Sequence, residues 1–428
     1  MTLVLKKSTV GLLFSLLLIV SYPINYPLFL NLRPVDIVLL LFAVWGVFNA
    51  GIRPRSVSIL VAIFCVLFLL STLYGVLFTG VVSPRNFAFI YKYGVLFVCV
   101  WLLLSSKLDE PRIRFLLRML FLSFLVVLAY EFVSLYRFRV MHPGRAHTFR
   151  PNFPFTDPFP DLYRGYLGDA HLLAAYISTG LLAIIFCRQY RMFRIRLPIY
   201  CGLLATGFTG MLLTGSRNGL VSFFVTVILF GLWMLVRKVS HVKAFTTVRR
   251  STVHLALVLL LVGTVVTYLC MKYGGQNAFV NRLLNRAVYF DLGKDQSFLG
   301  RVDKLKQACN VVLEGPVIIG PGLQSSERSY FDGAIASVLV SSGVAGVFIF
   351  AAIIFASFVV LHKRALLNDR KSELRILFFV SLNYLLANLI TEFFLVSRSV
   401  IPFALFWGLM ARLINIPHHS SLAGERKQ

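Results

Sequence analysis

The chain contains 428 residues, of which 58% are hydrophobic and only 14% are charged. A soluble protein of this length needs more polar surface to stay dispersed in water, so the composition excludes an ordinary globular protein and predicts one embedded in a lipid bilayer. The formal net charge of +26 also raises the question of a nucleic-acid partner. Because basic residues between long apolar runs set the orientation of membrane proteins, we expect no nucleic-acid partner.

Apolar runs of about 20 residues recur along the chain, and as helices they are long enough to cross a hydrocarbon core of ~30 Å. The first run follows Lys6 and Lys7 and lacks a small-x-small cleavage site, which predicts an uncleaved span. The pattern predicts an all-α polytopic membrane protein, with residues 1–428 forming a single transmembrane domain of about twelve transmembrane helices. The predicted spans lie near residues 9–30, 35–50, 57–79, 87–104, 115–136, 169–187, 197–214, 219–236, 252–271, 334–361, 373–396 and 399–416.

Basic residues concentrate in alternate connections between these spans, from the pair Arg53 and Arg55 to the group within residues 363–375. The positive-inside rule places those connections and both termini in the cytoplasm. Adding or removing one span would put the later arginine-rich connections on the wrong side. The first outer loop (residues 137–168) and the second outer loop (residues 272–333) then face outward, and we expect the functional surface on that side.

Cysteine and histidine positions indicate neither a disulfide framework nor a metal site. At most Cys270 and Cys309 could pair outside the membrane, because the other four cysteines lie within or beside predicted spans. No spacing of histidines and cysteines is typical of a metal site. We therefore expect a metal-independent protein without a cofactor.

A lone arginine, Arg217, lies where the seventh predicted span ends, within residues 214–219 (TGSRNG). The pattern predicts a very short turn at the outer membrane boundary. Two interpretations stay open for the side chain, which either snorkels to headgroup phosphates or clamps a lipid-linked phosphate with its bidentate guanidinium group. The small neighbours Gly215, Ser216 and Gly219 would allow a ligand to approach closely.

The second outer loop carries a stretch rich in glycine and proline, residues 314–323 (EGPVIIGPGL), and ends in the charged segment 327–333 (ERSYFDG). Glycine and proline at this density favour a tight structural turn. Asp332 precedes the tenth predicted span. A carboxylate in that position either caps the helix or takes a proton from a sugar hydroxyl group.

Charged residues also lie near the outer ends of other predicted spans. Arg398 follows Glu392 at the outer ends of the last two spans, and Lys92 and Glu131 lie near outer span ends as well. Because charges inside a bilayer are costly, the set indicates a polar cavity. Internal ion pairing is the alternative for Lys92 and Glu131.

Four features, taken in order, resemble the O-antigen polymerase and ligase superfamily. They are the segment SRNG around Arg217 after one span, Arg301 in a long outer loop, the turn at residues 320–322 (GPG), and a polar residue before the next span. The resemblance extends from about residue 200 to about residue 412. Ligases of that superfamily place a histidine eleven residues before a glycine, whereas here Asp332 stands eleven residues before Gly343. This departure looks more like the repeat-unit polymerases, because a carboxylate and an imidazole differ in basicity and charge.

The resemblance implies a GT-C-like glycosyltransferase that joins oligosaccharide repeat units carried on undecaprenyl pyrophosphate, at the periplasmic face of a bacterial inner membrane. The implied product is O-antigen or a related surface polysaccharide, with Asp332 as the candidate base and Arg217 as a catalytic cation. The expected partners are lipid-linked oligosaccharides and the bilayer, with a chain-length regulator and a flippase as further candidates. The residues expected to bind substrate are Arg301, Arg328, Arg398, Tyr330, Gly320 and Gly322.

Two other functions remain open from the sequence. An O-antigen ligase would transfer finished glycan to a lipid A core and would differ from a polymerase in its acceptor. A lipid-linked oligosaccharide flippase or another transporter favours internal pseudo-symmetry and short outer loops. This sequence has no internal repeat and two long outer loops, which disfavours the transporter.

Overall fold

The protein is described by a computed structural model over residues 7–21, 34–49, 108–141, 170–189, 195–214, 217–240, 296–322, 334–367 and 372–388, with separate positions between 63 and 77, at 103, and between 405 and 413. Every regular element in these ranges is an α-helix and no strand occurs in them, which confirms the all-α prediction. The ninth predicted span, near residues 252–271, and most of the first outer loop lie outside the described residues.

Nine longer helices are described in these ranges. Eight of them overlap predicted spans, and the remaining one, α7, lies within the second outer loop. The helices are α1 (Lys7–Ser21), α2 (Pro34–Asn49), α3 (Glu110–Met141), α4 (Ala170–Gln189), α5 (Leu197–Leu213), α6 (Arg217–Ser240), α7 (Gln296–Leu313), α8 (Ala334–Leu367) and α9 (Ser372–Asn388).

The apolar helices indicate a membrane protein. By length and composition, two described stretches are able to cross a membrane, Glu110–Tyr130 in α3 and Ile335–Ala352 in α8. Shorter apolar stretches occur in α1, α4, α5 and α6. Helix α3 continues to Met141, past residue 137, where the sequence predicts the first outer loop to begin. The count of about twelve spans stays a prediction.

Helices α4 and α9 lie at the centre of the described bundle. Helix α4 contacts α3, α5, α6 and α9, and α9 also contacts α6 and α8. Nearly all described side chains of both helices are buried, as expected for helices whose apolar residues are spread around the whole circumference. Phe186 of α4 packs against Phe230 of α6 and Phe379 of α9, with ring centroids 4.6 Å and 5.8 Å away. These aromatic contacts tie the three helices together.

A buried hydrogen-bond cluster also joins α4 to α9. The Asn383 side-chain nitrogen Nδ2 donates to Ser178 Oγ and to Thr179 Oγ1, each at 2.9 Å. Because buried polar groups need partners, these bonds favour one axial register of the two helices. Helix α6 approaches α4 closely at Gly219, where a Cβ atom would lie 2.7 Å from the carbonyl oxygen of Ala174.

Charged side chains gather at one end of the bundle. Arg114, near the start of α3, pairs through Nε with the buried carboxylate of Glu373 at the start of α9, at 2.5 Å. Arg375 lies over the ring of Trp233 in the second half of α6, with its Cζ 5.6 Å from the ring centroid. The starts of α3 and α9 and the distal half of α6 therefore share one end of the bundle, as the predicted topology requires. The assignment of that end to the cytoplasm stays a prediction.

Candidate functional site

Arg217 is the first residue of helix α6. The sequence predicts a very short turn before it, and in the structure three residues separate the end of α5 at Leu213 from the start of α6. The Thr214 hydroxyl group donates a hydrogen bond back to the Met211 carbonyl oxygen at 2.7 Å. The arginine therefore stands at a helix start, where the first backbone N–H groups have no partner within the helix. Those groups and the helix dipole favour binding of an anion next to Arg217.

Asn218 follows Arg217 and was not among the site residues expected from the sequence. Its side chain is 6% exposed, and its Nδ2 atom has no hydrogen-bond partner in the described part of the chain. Buried amide donors are nearly always paired in proteins, so this one has hydrogen-bonding capacity to spare. The sequence signal was present, because Asn218 belongs to the SRNG segment.

Residues 296–313 of the second outer loop form helix α7. Its residues Ala308 and Val312 are buried against Ala336 and Val340 near the start of α8. Arg301 lies in the first half of α7, and its backbone is helical. The second outer loop therefore includes a helix that is packed onto the predicted tenth span.

Residues 315–322 form a turn that is hydrogen-bonded to a break in helix α8, and we call this arrangement the glycine interlock. The backbone N–H of Gly322 donates to the Val340 carbonyl oxygen at 3.1 Å. In the other direction, the N–H of Val344 donates to the Val317 oxygen at 3.0 Å and that of Ala345 to the Ile318 oxygen at 3.1 Å. The turn thus supplies partners for backbone groups of α8 on both sides of the break.

The break in α8 lies at Gly343, whose φ is 62° and ψ is −165°. This backbone region is open essentially to glycine alone. A Cβ atom at Gly343 would also lie 2.2 Å from the Ile318 carbonyl oxygen and 2.5 Å from the Gly320 nitrogen. Gly320 and Gly322 likewise have positive φ values, 78° and 84°. All three glycines are therefore needed for their backbone conformation, and Gly343 and Gly320 also for the close approach.

The third predicted span, near residues 57–79, also contacts the glycine interlock. The buried hydroxyl of Ser71 donates to the carbonyl oxygen of Gly320 at 3.1 Å. Since Gly320 and Gly322 are buried and bonded to other backbone groups, they shape the loop in this structure. Their expected contact with substrate stays a prediction.

The structure does not describe the side chains of the other expected site residues. Arg328, Tyr330, Asp332 and Arg398 lie outside the described residues, and for Arg217 and Arg301 only the backbone is described. Their convergence on one substrate therefore stays a prediction. Among the described residues, no group of three or more His, Cys, Asp or Glu side chains is placed to hold a metal ion.

A sequence model of the family described as O-antigen ligase matches residues 202–335. Over this segment, about a third of its length, the chain is similar to the O-antigen ligase family. The matched segment begins in α5, includes Arg217 and the turn of the glycine interlock, and ends at the second residue of α8. It confirms the resemblance that the sequence motifs indicated. No curated protein matches the chain.

We expect Gly343→Ala to destabilise the protein strongly. The backbone at this position costs about 1 to 3 kcal/mol for a residue with a side chain, and the added methyl group would collide with the turn. Gly202→Ala is the matched control, because Gly202 lies in helix α5 with open space around its Cβ position. Thermal unfolding of both variants in detergent, followed by size-exclusion chromatography, measures the difference. Equal melting temperatures would contradict the structural role assigned to Gly343.

Proposed function

We propose that this protein is a polymerase that joins undecaprenyl-pyrophosphate-linked oligosaccharide repeat units into O-antigen or a related surface polysaccharide. The reaction takes place at the periplasmic face of the bacterial inner membrane, in a multi-pass protein whose termini are both cytoplasmic. The observation that carries the proposal is the glycine interlock, because it gives Gly343 a physical role. Gly343 is fixed by its contacts with the turn, so the eleven-residue spacing relates Asp332 to a defined point in the fold.

That spacing supports a defined position for Asp332. The first segment of α8 begins at Ala334 and stops at the break, so Asp332 stands two residues before a short helix that the turn holds at its far end. An aspartate at this position, where ligases of the superfamily carry histidine, favours the polymerase over the ligase. The family description names the ligase, which is therefore the second candidate.

The chemistry requires a cation for the leaving group and a base for the acceptor. The acceptor hydroxyl oxygen forms a bond to the donor's anomeric carbon, while the bond from that carbon to the pyrophosphate oxygen breaks. A direct displacement of this kind inverts the anomeric centre. Asp332 takes the hydroxyl proton, and the lipid pyrophosphate leaves with its negative charge stabilised by arginines.

The start of α6 supports Arg217 as a principal cation. The guanidinium group, the unpaired N–H groups of the helix start and the spare donor of Asn218 together offer several donors to phosphate oxygens. Arg301, Arg328 and Arg398 complete the set that we assign to phosphate binding, and Tyr330 stacks on a sugar face. No metal ion is needed for charge neutralisation in this scheme.

A strain that lacks this gene tests the function directly. We expect its lipopolysaccharide to carry a single repeat unit on the core, because ligation continues while polymerisation stops. Electrophoretic banding of the extracted lipopolysaccharide measures the outcome. Bare core without any repeat would favour a ligase or a flippase instead, and unchanged long chains would remove the protein from this pathway.

We expect Arg217→Ala to lower polymer formation by about 100- to 1000-fold, the usual effect of losing a preorganised group that stabilises developing negative charge. Arg217→Lys should restore little, because an ammonium group is a point charge and cannot bind two phosphate oxygens as a fork. Arg237→Ala, at the distal end of the same helix, is the control. Long chains produced by well-expressed Arg217→Ala would show that this side chain only snorkels to the headgroups.

Asp332→Asn separates a capping role from a catalytic one. Asparagine caps helices about as well as aspartate, so a pure cap would leave the chain length nearly unchanged. Loss of a general base typically lowers the rate by roughly 100- to 10,000-fold, and we therefore expect a single repeat unit. Asp332→His should retain partial activity because imidazole is basic at neutral pH.

Asp303→Asn on the exposed side of α7 is the control for this substitution. It changes one carboxylate of the same loop to an amide and should leave chain length unaffected. Wild-type chain lengths in well-expressed Asp332→Asn would remove Asp332 from the mechanism.

A further inference from the structure

Helix α8 is too long to lie entirely within a membrane. Its two segments, before and after the break at Gly343, together contain 34 residues and amount to ~51 Å of helix at 1.5 Å per residue, against a hydrocarbon core of ~30 Å. The charged residues Lys363 and Arg364 follow the apolar run at its distal end. Counting about 20 residues back from Leu361 places the opposite hydrocarbon boundary near Gly343.

A second placement of α8 leads to a related result. The apolar stretch that meets the length criterion is Ile335–Ala352, and if it filled the membrane, Gly343 would lie ~12 Å inside the hydrocarbon. In both placements the turn of the glycine interlock reaches the acyl chains, because it is bonded to α8 at Val344 and Ala345. The placements differ only in how deep the turn lies.

Exposed apolar side chains lie at the end of α7 and on this turn. Leu313 and Ile318 are 70% and 71% exposed, and Val317 is exposed as well. We call these three residues the apolar tip. On α8, just beyond the break, Phe348 is 70% exposed. The tip and this part of α8 thus present apolar surface at neighbouring levels along the helix.

The backbone of the turn suits a lipid environment. The carbonyl oxygens of Val317 and Ile318 accept hydrogen bonds from α8, and the N–H groups of Gly320 and Gly322 donate to carbonyl oxygens. Polar backbone groups without partners are costly next to acyl chains, so these bonds lower the cost of placing the turn at the acyl-chain boundary. The interlock therefore allows the tip to meet acyl chains without exposing these polar backbone groups to them.

Glu314 limits the depth of the tip. This residue follows Leu313 in the sequence, and its side chain is exposed. A carboxylate deep in the hydrocarbon is costly, whereas one at the headgroup level stays hydrated. Glu314 thus favours the shallower placement, in which only the three apolar side chains pass below the headgroups.

We propose that Leu313, Val317 and Ile318 insert into the acyl-chain boundary of the outer leaflet and anchor the second outer loop to the membrane surface. The choice of leaflet rests on the proposed function, while the contact with lipid does not. The anchor would keep the turn of the glycine interlock at the headgroup level, where the pyrophosphate of a polyprenyl-linked substrate lies.

Depth-dependent fluorescence quenching tests the anchor. The full-length protein, with its six native cysteines replaced and its folding verified by size-exclusion chromatography, receives a single cysteine labelled with an environment-sensitive fluorophore in proteoliposomes. We expect the label at Ile318→Cys to be quenched by lipids with a nitroxide near the headgroup end of the acyl chain, as at Phe348→Cys. The label at Lys306→Cys, on the exposed side of α7, should be quenched by aqueous iodide instead.

The result at Ile318 decides the proposal. Iodide quenching at Ile318→Cys equal to that at Lys306→Cys would overturn the anchor and leave the proposed polymerase intact. Lipid quenching in a protein that makes no polymer would support the anchor and count against the polymerase. As a second readout, Ile318→Asp should shorten the polymer at least tenfold, while Ile318→Leu should leave its length unchanged.

Discussion

Backbone hydrogen bonds in the glycine interlock determine how residues 315–322 of the second outer loop meet helix α8. A helix break inside an apolar stretch would leave N–H and carbonyl groups without partners, and in a bilayer no water replaces them. Here the turn at residues 315–322 provides those partners, in both directions across the break at Gly343. The turn and the break therefore stabilise each other, because neither conformation satisfies its backbone groups alone.

This mutual dependence couples the loop to the membrane domain. Helix α7 packs through Ala308 and Val312 onto the first segment of α8, and Ser71 from another predicted span bonds to Gly320. Residues 296–322 of the loop are therefore docked on other helices of the described structure. In the proposed polymerase, this docking would fix the first segment of α8, which begins two residues after Asp332 in the sequence.

Part of the candidate site was predictable from local sequence. The SRNG segment predicts a functional role for Arg217, and the matched family segment includes this residue. The sequence also predicts a tight turn at residues 320–322, but it does not predict the contact of this turn with α8. It marks Gly343 only by its spacing from Asp332. Gly343 has a positive φ and lies against Ile318, which is distant in sequence. No local sequence pattern predicts such a contact.

From the amino-acid sequence alone it follows that the chain is rich in apolar helices and resembles the O-antigen ligase and polymerase superfamily, because run length, composition and motif order are local properties. It also set an expected orientation through the positions of its basic residues. The central position of α4 and α9, the bonds from Asn383 to Ser178 and Thr179, and the break of α8 at Gly343 became known from the three-dimensional structure. Spans that are apolar on every side carry no periodicity that identifies the buried face. The choice among those faces is made by hydrogen bonds and close backbone contacts between residues far apart in the chain.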